Sequence, residues 1–330
     1  MDFRLKAVIV VLVLIFAALS VLQLNQKPSP RTLIVSSPPY VFMSPIYIAE
    51  ENGLFKTDVK FIDSSQSSYA LESVMNDDID VVPTSLSAKL FSAYAKGLRF
   101  KVIAMQDTKP RAMLIRKDLW ESGVLRSPED LKGKNVRVSG EGAGTYYILA
   151  MLLKNNGIDL KDVNMKYLSS SESLAAFESK SIDAFTSYAE PFRTYAIENG
   201  IAVYQEFPGE DNIGVFLVSE KTLQEKPEAI KSFLRGYVWG IKYYASRLNG
   251  SEEERVGLIR LVSEKTSIET ETLEKIKWPV FPTMGKVDLD EMRRIQDYYF
   301  DNGLLDSKAD VDEMFDFSIL DEILAEETGN

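Results

Sequence analysis

An internal repeat restricts the fold of this chain more than any other feature of its sequence. In each half, a predicted helix ends at a glycine and is followed by a strand, a serine-rich loop, a second helix and an Ile-Asp pair that opens the next strand. The spacing from Gly53 to Asp80 matches that from Gly157 to Asp183 within one residue. Such a repeat predicts two similar α/β lobes, each with a small, mostly parallel sheet flanked by helices. A single doubly wound sheet, which also repeats its units, is the alternative interpretation.

The two repeated aspartates resemble a catalytic carboxylate pair when the sequence is read alone. Asp80 and Asp183 occupy equivalent places in separate lobes, however, and this favours a structural role in the turns before the strands. We therefore predict no catalytic residue from this pair.

The second half contains a strand, a glycine-rich loop and a helix in direct succession. Residues 135–139 alternate and are rich in valine, which is typical of a strand, and a helix is predicted from Tyr146 to Asn156 with Thr145 as its cap. The loop between them holds Gly140, Gly142 and Gly144. Unpaired N–H groups at the start of this helix make a candidate small-molecule site. Alternatively, the glycines only allow close packing of the helix on the strand.

The glycine-rich loop does not match a nucleotide-binding motif. The third glycine of a dinucleotide fingerprint would fall at Thr145, and this loop contains no lysine followed by serine or threonine, as a phosphate loop requires. The chain also has no cysteine and no histidine, which excludes thiol nucleophiles, disulfides, histidine acid/base catalysis and nearly all zinc or iron sites. A net charge of −11 argues against nucleic-acid binding. We expect no cofactor and no metal.

The N-terminus has the pattern of an export signal. Arg4 and Lys6 precede an apolar run over residues 7–22, and a polar, proline-containing tether follows over residues 23–31. The run is slightly shorter than the roughly 20 residues that span a bilayer. A cleaved signal peptide and a retained membrane anchor both remain open. In either case the body of the protein is expected outside the cytoplasm, and residues 1–30 are left out of the fold.

The chain is predicted to cross between the lobes twice, at residues 109–110 and within residues 208–214. The first lobe then comprises residues 31–109 and 215–330, and the second lobe residues 110–214. Ligands of open α/β sheets lie beyond the carboxyl ends of the strands. Four such ends carry polar loops, at residues 36–40, 84–85, 139–145 and 187–190. If the lobes face each other, these loops line one cleft.

Four segments resemble the extracellular substrate-binding proteins of ABC importers, in the branch that takes up nitrate, sulfonates, taurine and thiamine-pyrimidine precursors. They are PIYIAEENGLF, IDVVPTS, SPEDLKGKNVRVSGEGAGTYYILAMLLKNNGIDLKDVNMKYL and SIDAFTSYAEPF. The resemblance extends from about Leu33 to Leu305. It implies a two-lobe, type II periplasmic-binding-protein-like fold that closes on one ligand, with a membrane permease and an ATPase as partners.

The resemblance also implies ligand-binding positions in this chain. Ser139, Gly142, Gly144 and Thr145 match positions that hold an anionic or polar ligand group at a helix N-terminus. Thr84 and Ser85 match the equivalent strand end of the first lobe, and Tyr188 and Glu190 match the loop before a shared proline. Ser37, in the polar loop after the first strand, completes the candidates together with Tyr40 and Tyr146, two of the aromatic residues that gather near the inferred cleft. Any of these aromatics could instead fill a core, and Glu190 could simply end a strand.

The leading hypothesis is an exported, monomeric receptor that captures a small polar solute for an ABC permease. The loop SSPPYVFMSPIYI departs from the family pattern, so the size of the ligand stays open between nitrate, a sulfonate, taurine and a planar pyrimidine. Two alternatives are kept. The first is a two-lobe enzyme working with carboxylates such as Glu190, because no histidine is present. The second is a sensory ectodomain tethered by residues 7–22.

Overall fold

Two five-stranded sheets form the framework of the protein. The computed structural model describes residues 32–55, 59–63, 70–186, 192–281 and 283–328. The predicted signal or anchor at residues 7–22 lies outside these ranges. Within them, no helix has both the length and the apolar character needed to cross a bilayer.

Most of the strands are short. In chain order they are β1 Leu33–Ser36, β2 Val59–Ile62, β3 Val81–Ser85, β4 Phe100–Met105, β5 Lys109–Arg116, β6 Asn135–Val138, β7 Asn164–Tyr167, β8 Ala184–Phe185, β9 Ala202–Asp211 and β10 Gly214–Ser219.

The α-helices follow the strands in the first half and dominate the C-terminal part. They are α1 Ser44–Glu51, α2 Ala70–Met75, α3 Ala88–Ala95, α4 Lys117–Glu121, α5 Gly144–Asn155, α6 Ser170–Glu178, α7 Phe192–Glu198, α8 Glu220–Glu225, α9 Pro227–Leu248, α10 Glu252–Thr266, α11 Thr270–Leu273, α12 Leu289–Asp301, α13 Val311–Met314 and α14 Ser318–Thr328.

The strand order confirms the two-lobe α/β class. The sheet of the first lobe runs β2-β1-β3-β10-β4, and that of the second lobe runs β7-β6-β8-β5-β9. In each sheet the three strands at one end pair in parallel, whereas the strands that connect the lobes pair antiparallel with their neighbours. In each sheet four of the five strands therefore run in one direction and a single strand, β10 or β5, runs against them, which agrees with the mostly parallel sheets that were predicted. The chain passes between them at residues 106–108 and 212–213, so β5 and β9 extend further toward the junction than predicted.

The predicted repeat is present in the backbone itself. Asp80 Oδ2 accepts the N–H of Ile34 at 2.7 Å, and Asp183 Oδ2 accepts the N–H of Asn135 at 2.9 Å. The main-chain N–H groups of the two aspartates donate back to the carbonyls of Ile34 and Asn135. Each aspartate thus forms two hydrogen bonds to the start of a strand, Asp80 to β1 and Asp183 to β6. This confirms the structural role predicted for the pair.

Hydrophobic packing differs between the lobes. One large continuous cluster fills the first lobe, with Phe233 and Tyr237 from α9, and it extends to Tyr147 and Ile148 of α5 in the second lobe. The second lobe has two smaller clusters on opposite faces of its sheet. Adjacent residues of β8 show this division, since Ala184 belongs to one cluster and Phe185 to the other.

Two local predictions are wrong. Helix α5 begins at Gly144 with Ala143 as its N-cap, and Thr145 does not cap it. Pro83 lies inside β3, opposite Phe216 of β10, although a strand end was predicted there. Strand β3 pairs with β1 only at Val81, so one side of β3 is unpaired at Pro83, where a residue without an N–H is tolerated.

Candidate functional site

The glycine-rich loop of the second lobe rests directly on the first lobe. The carbonyl of Gly142 accepts the N–H of Ala88 at 2.9 Å, at the start of α3. Gly142 has φ +68°, and a Cβ placed on it would lie 2.7 Å from the Cβ of Ala88. A Cβ on Gly144 would lie 2.7 Å from Ile213 Cδ1 and 3.0 Å from Ser85 Cβ. Both glycines therefore allow close contact between the lobes, and this contact brings together the predicted residues Gly142, Gly144 and Ser85.

The hydroxyl groups at the same strand end bond to each other. Thr145 Oγ1 accepts the N–H of Ser139 at 2.9 Å, and the two hydroxyl oxygens lie 2.6 Å apart. Thr186, at the end of β8, donates from its hydroxyl to the carbonyl of Thr145 at 3.3 Å. Ser139 is exposed and Thr186 is fully buried, so this small network runs inward from the surface of the second lobe where its parallel strands end.

The first-lobe candidates lie along the ends of β1 and β3. The N–H of Ser37 donates to the carbonyl of Ile62, and Tyr40 stacks on Phe42 with ring centroids 5.3 Å apart. Thr84 and Ser85 are half-buried within β3.

Three candidates of the second lobe fall elsewhere. Tyr146 is buried in a hydrophobic cluster of that lobe, 6% exposed, with its ring among core residues. Tyr188 and Glu190 lie outside the described residues.

A cavity that the sequence did not indicate lies where the two lobes meet the connecting strands. It encloses about 60 Å³. Its walls come from the loop after β1, from residues 107–110 between the lobes, from α7 and β9 of the second lobe, and from residues 276–280. Phe42, Tyr204 and Trp278 supply aromatic surface. The cavity therefore takes side chains from both lobes.

A buried arginine forms one wall of this cavity. Arg193 of α7 is 6% exposed, and its guanidinium carbon lies 4.7 Å from the ring centroid of Tyr204. Its Nη2 donates to the carbonyl of Lys277 at 3.3 Å. Burial raises the pKa of the Tyr204 phenol, so this hydroxyl stays protonated and donates to Glu206 Oε1 at 3.0 Å. Arg193 thus brings a positive charge to the cavity wall, and the contact with the Tyr204 ring restricts the orientation of its guanidinium group.

A buried ion pair lies at the cavity wall, where Asp107 is one of the lining residues. Lys109 Nζ pairs with Asp107 and lies 4.6 Å from the ring centroid of Phe42. Burial raises the pKa of the Asp107 carboxyl, and the attraction of Lys109 offsets this increase only in part. The pair thus holds one charge of each sign in the segment that connects the lobes.

Trp278 lines the cavity and leaves a donor unused. It is 8% exposed, and its indole Nε1 has no hydrogen-bond partner among the residues that the structure describes. The backbone next to Trp278 is held by hydrogen bonds. The carbonyl of Val280 accepts the N–H of Thr108 at 2.7 Å, and the carbonyl of Pro279 accepts the hydroxyl of Tyr244 at 2.8 Å. A buried N–H without an acceptor is unfavourable unless a bound molecule supplies one.

No motif in the sequence pointed to Arg193 or Trp278. Arg193 follows the Glu190-Pro191 pair by two residues, which was the only available signal, and Trp278 stands in a stretch to which no function was assigned. In the described part of the chain, no group of three or more carboxylates is placed to hold a metal ion. The charged and aromatic groups of the cavity are suited to binding a small polar solute.

The architecture is that of the two-lobe solute-binding proteins. The structure resembles the alkanesulfonate-binding protein of Xanthomonas axonopodis pv. citri bound to MOPS, with a TM-score of 0.68, 18% identity, and coverage of 88% of this chain and 99% of that one. It also resembles the periplasmic nitrate-binding protein of Synechocystis, with a TM-score of 0.70, 12% identity, and coverage of 91% and 90%.

The sequence comparisons agree with this class. A putative aliphatic sulfonates-binding protein of Escherichia coli is 22% identical over 260 residues, which is 78% of each chain. The family model NMT1/THI5 like matches residues 42–247, more than half of the chain. The protein belongs to the NMT1/THI5-like family.

Proposed function

We propose that this protein is the substrate-binding protein of an ABC importer and captures a small anionic solute of the sulfonate or nitrate type. The cavity between the lobes carries this proposal, because it combines the buried cation Arg193 with an unused donor on Trp278. The relatives named as sulfonate-binding and nitrate-binding proteins support the same class of solute. The protein binds and releases its solute without converting it.

The lobes are proposed to divide at the boundaries expected from the sequence, with residues 31–109 and 215–330 in the first lobe and residues 110–214 in the second. The two connections at residues 106–108 and 212–213 support a hinge at this place. Closing about this hinge brings the glycine-rich loop against α3. Gly142 and Gly144 then act through the contact between the lobes, and the other strand-end candidates line the rim of the cleft.

The protein is further proposed to work outside the cytoplasm, together with a permease and an ATPase. Residues 7–22 direct the chain out of the cytoplasm, and the monomeric, loaded protein delivers its solute to a permease driven by an ATPase. The apolar run and its basic flank support export. Fractionation of cells that express the full chain, beside a variant lacking residues 2–22, tests the location. Retention of the full chain in the cytoplasm would contradict it.

Thermal unfolding of purified protein with a panel of solutes tests the binding function. The panel contains methanesulfonate, taurine, nitrate and an aminopyrimidine. A solute present at 100 times its dissociation constant stabilises the folded state by about 2.7 kcal/mol, which is measurable as a rise in Tm. We expect this rise for methanesulfonate or nitrate. An unchanged Tm with every solute of the panel would overturn the proposal.

A pair of arginine variants controls for nonspecific charge effects. Arg193→Gln removes the buried cation of the cavity, and Arg235→Gln removes a partly exposed one on α9 that pairs with Glu326. The solute-dependent rise in Tm is expected to disappear in Arg193→Gln and to persist in Arg235→Gln. Equal responses of the two variants would place the site elsewhere.

A further inference from the structure

We propose that Trp278 donates its indole N–H to an oxygen of the bound anion and that the aromatic cavity around it admits only solutes with a very short carbon chain. This inference rests on the proposed binding function and adds to it one residue that determines specificity. The observations that carry it are the unused donor, the way in which residues 276–280 are held, and the volume of the cavity.

The unused donor indicates the chemistry of the ligand. An indole N–H can donate but cannot accept, and Nε1 of Trp278 has no acceptor among the described residues. The guanidinium of Arg193 lines the same cavity and also only donates. The cavity is also lined by the carboxylates of Glu210, of Asp107, which pairs with Lys109, and of Glu206, which pairs with Lys277. A ligand atom placed directly between the indole N–H and the guanidinium accepts hydrogen bonds. The oxygens of a sulfonate or nitrate do so, whereas an ammonium group would set donor against donor.

Trp278 is held in place from both lobes. The carbonyl of its neighbour Lys277 accepts from Arg193 of the second lobe, and the side chain of Lys277 pairs with Glu206 of β9. On the other side, Tyr244 of the first lobe donates to the carbonyl of Pro279. The backbone on both sides of Trp278 is thus held by contacts to both lobes, and the indole ring packs near Tyr244 with ring centroids 6.0 Å apart.

The volume of the cavity limits the solute. About 60 Å³ corresponds to the space of about four water molecules. Nitrate and methanesulfonate have four and five non-hydrogen atoms, about what this space holds, and a butyl chain or a pyrimidine ring exceeds it. Phe42 cannot easily move aside, because its ring contacts Tyr40 on one side and Lys109 Nζ lies 4.6 Å from its centroid. The aromatic walls therefore act as a limit on chain length.

Calorimetric titration with methanesulfonate and butanesulfonate tests both parts of the inference. For the unaltered protein we expect measurable binding of methanesulfonate and much weaker binding of butanesulfonate. Trp278→Phe keeps an aromatic ring but removes the N–H, and we expect it to weaken methanesulfonate binding about tenfold. The Tm of the unliganded variant should not fall on this account, because no unused donor remains. Phe42→Ala is expected to raise butanesulfonate affinity relative to methanesulfonate.

Trp239→Phe is the matched control, since Trp239 is 41% exposed on α9. It should leave binding unchanged. The change in tryptophan fluorescence on adding methanesulfonate should persist in Trp239→Phe and vanish in Trp278→Phe.

The outcomes separate this inference from the proposed function. If the unaltered protein binds neither sulfonate nor nitrate, the proposed function fails. If it binds methanesulfonate and Trp278→Phe binds it equally well, the role of Trp278 is overturned while the binding function stands. Equal affinity of the unaltered protein for butanesulfonate and methanesulfonate would overturn the limit on chain length.

Discussion

The two lobes repeat one pattern of strands and helices but support it with different cores. In the first lobe, α9 and the later helices pack on the sheet and form one continuous hydrophobic cluster. The second lobe divides its buried residues between two clusters, one on each face of the sheet. A repeat in sequence therefore does not imply equal stability. We expect the second lobe to be the weaker folding unit, because each of its clusters buries less apolar surface.

The two repeated aspartates also differ, in their burial and in the cation that each one pairs with. Asp80 is 5% exposed, and both of its oxygens accept from Lys226 Nζ, at 2.9 and 2.8 Å. The side chain of Asp183 is 16% exposed, and Arg116 approaches it at 3.2 Å. The cation of the first lobe comes from a distant part of the chain, just before α9, whereas that of the second lobe is on the neighbouring strand β5.

The largest expected effect comes from removing one buried ring in each lobe. Phe216 packs between Phe233 and Tyr237, and Phe185 packs on Phe177 with centroids 5.0 Å apart. Truncation to alanine costs about 3–5 kcal/mol at either site. We expect Phe216→Ala to shift a single unfolding transition, and Phe185→Ala to unfold the second lobe first, giving two transitions in calorimetry. A single transition in both variants would contradict unequal lobes.

The anchoring aspartates should differ in the same direction. Asp80→Ala leaves the N–H of Ile34 and the ammonium of Lys226 without this partner in a buried place, at a cost of about 3–5 kcal/mol. Asp183→Ala should cost about 1–3 kcal/mol, since its surroundings are more open to water. Urea unfolding measures both. Lys221→Ala, which removes an exposed pair with Asp77, is the control and should cost less than about 1 kcal/mol.

Substitution of two glycines with the same φ angle can distinguish the effect of the contact between the lobes from the effect of backbone strain. Gly142 and Gly157 both have φ +68°, but only Gly142 faces the other lobe, and no atom lies within 4 Å of a Cβ on Gly157. Each change to alanine should destabilise the fold by about 1–2 kcal/mol. Only Gly142→Ala is expected to weaken solute binding as well, about tenfold, because its methyl group obstructs closure on Ala88. Equal affinities would show that this contact is not required for binding.

The smallest expected change in stability comes from the helix N-caps, and it should be similar in the two lobes. Ser169 with Glu172 and Ser251 with Glu254 form capping boxes at the starts of α6 and α10. Hydrogen bonds from the two serines lower the pKa of each glutamate below its ordinary 4.5. A lowered folded-state pKa gives stability that is present above pH 4.5 and is lost as the pH falls through the folded-state value.

Glutamine variants of the two capping residues test this pH dependence. Glu172→Gln and Glu254→Gln keep an acceptor for the serine N–H but remove the charge. At pH 7 each variant should melt slightly below the unaltered protein, and the difference should shrink as the pH falls from 4.5 toward 3. Thermal unfolding at several pH values measures this. A difference that stays constant over the whole range would contradict the assignment.

Much of the fold could be predicted because its signals are local. Gly53 and Gly157 end helices with positive φ, as their places in the repeat indicated, and the alternation in residues 135–138 produced β6. The cap of α5 was missed, because Thr145 bonds to Ser139 across the loop instead of to its own helix. None of the predicted site residues that the structure describes lines the candidate cavity. The cavity joins Phe42, Arg193 and Trp278, which no spacing in the sequence connects.

The sequence by itself determined the two-lobe repeat, the aspartate anchors, the absence of histidine and cysteine chemistry, and the family. These depend on composition and on contacts between repeated neighbouring elements. Only the tertiary structure decided that β10 returns antiparallel between β3 and β4 and that Gly142 and Gly144 contact the first lobe. It also decided that Trp278 is buried with an indole N–H that has no partner among the described residues. Burial and unmet hydrogen bonds depend on which distant segments pack together, and local propensity carries no information about that packing.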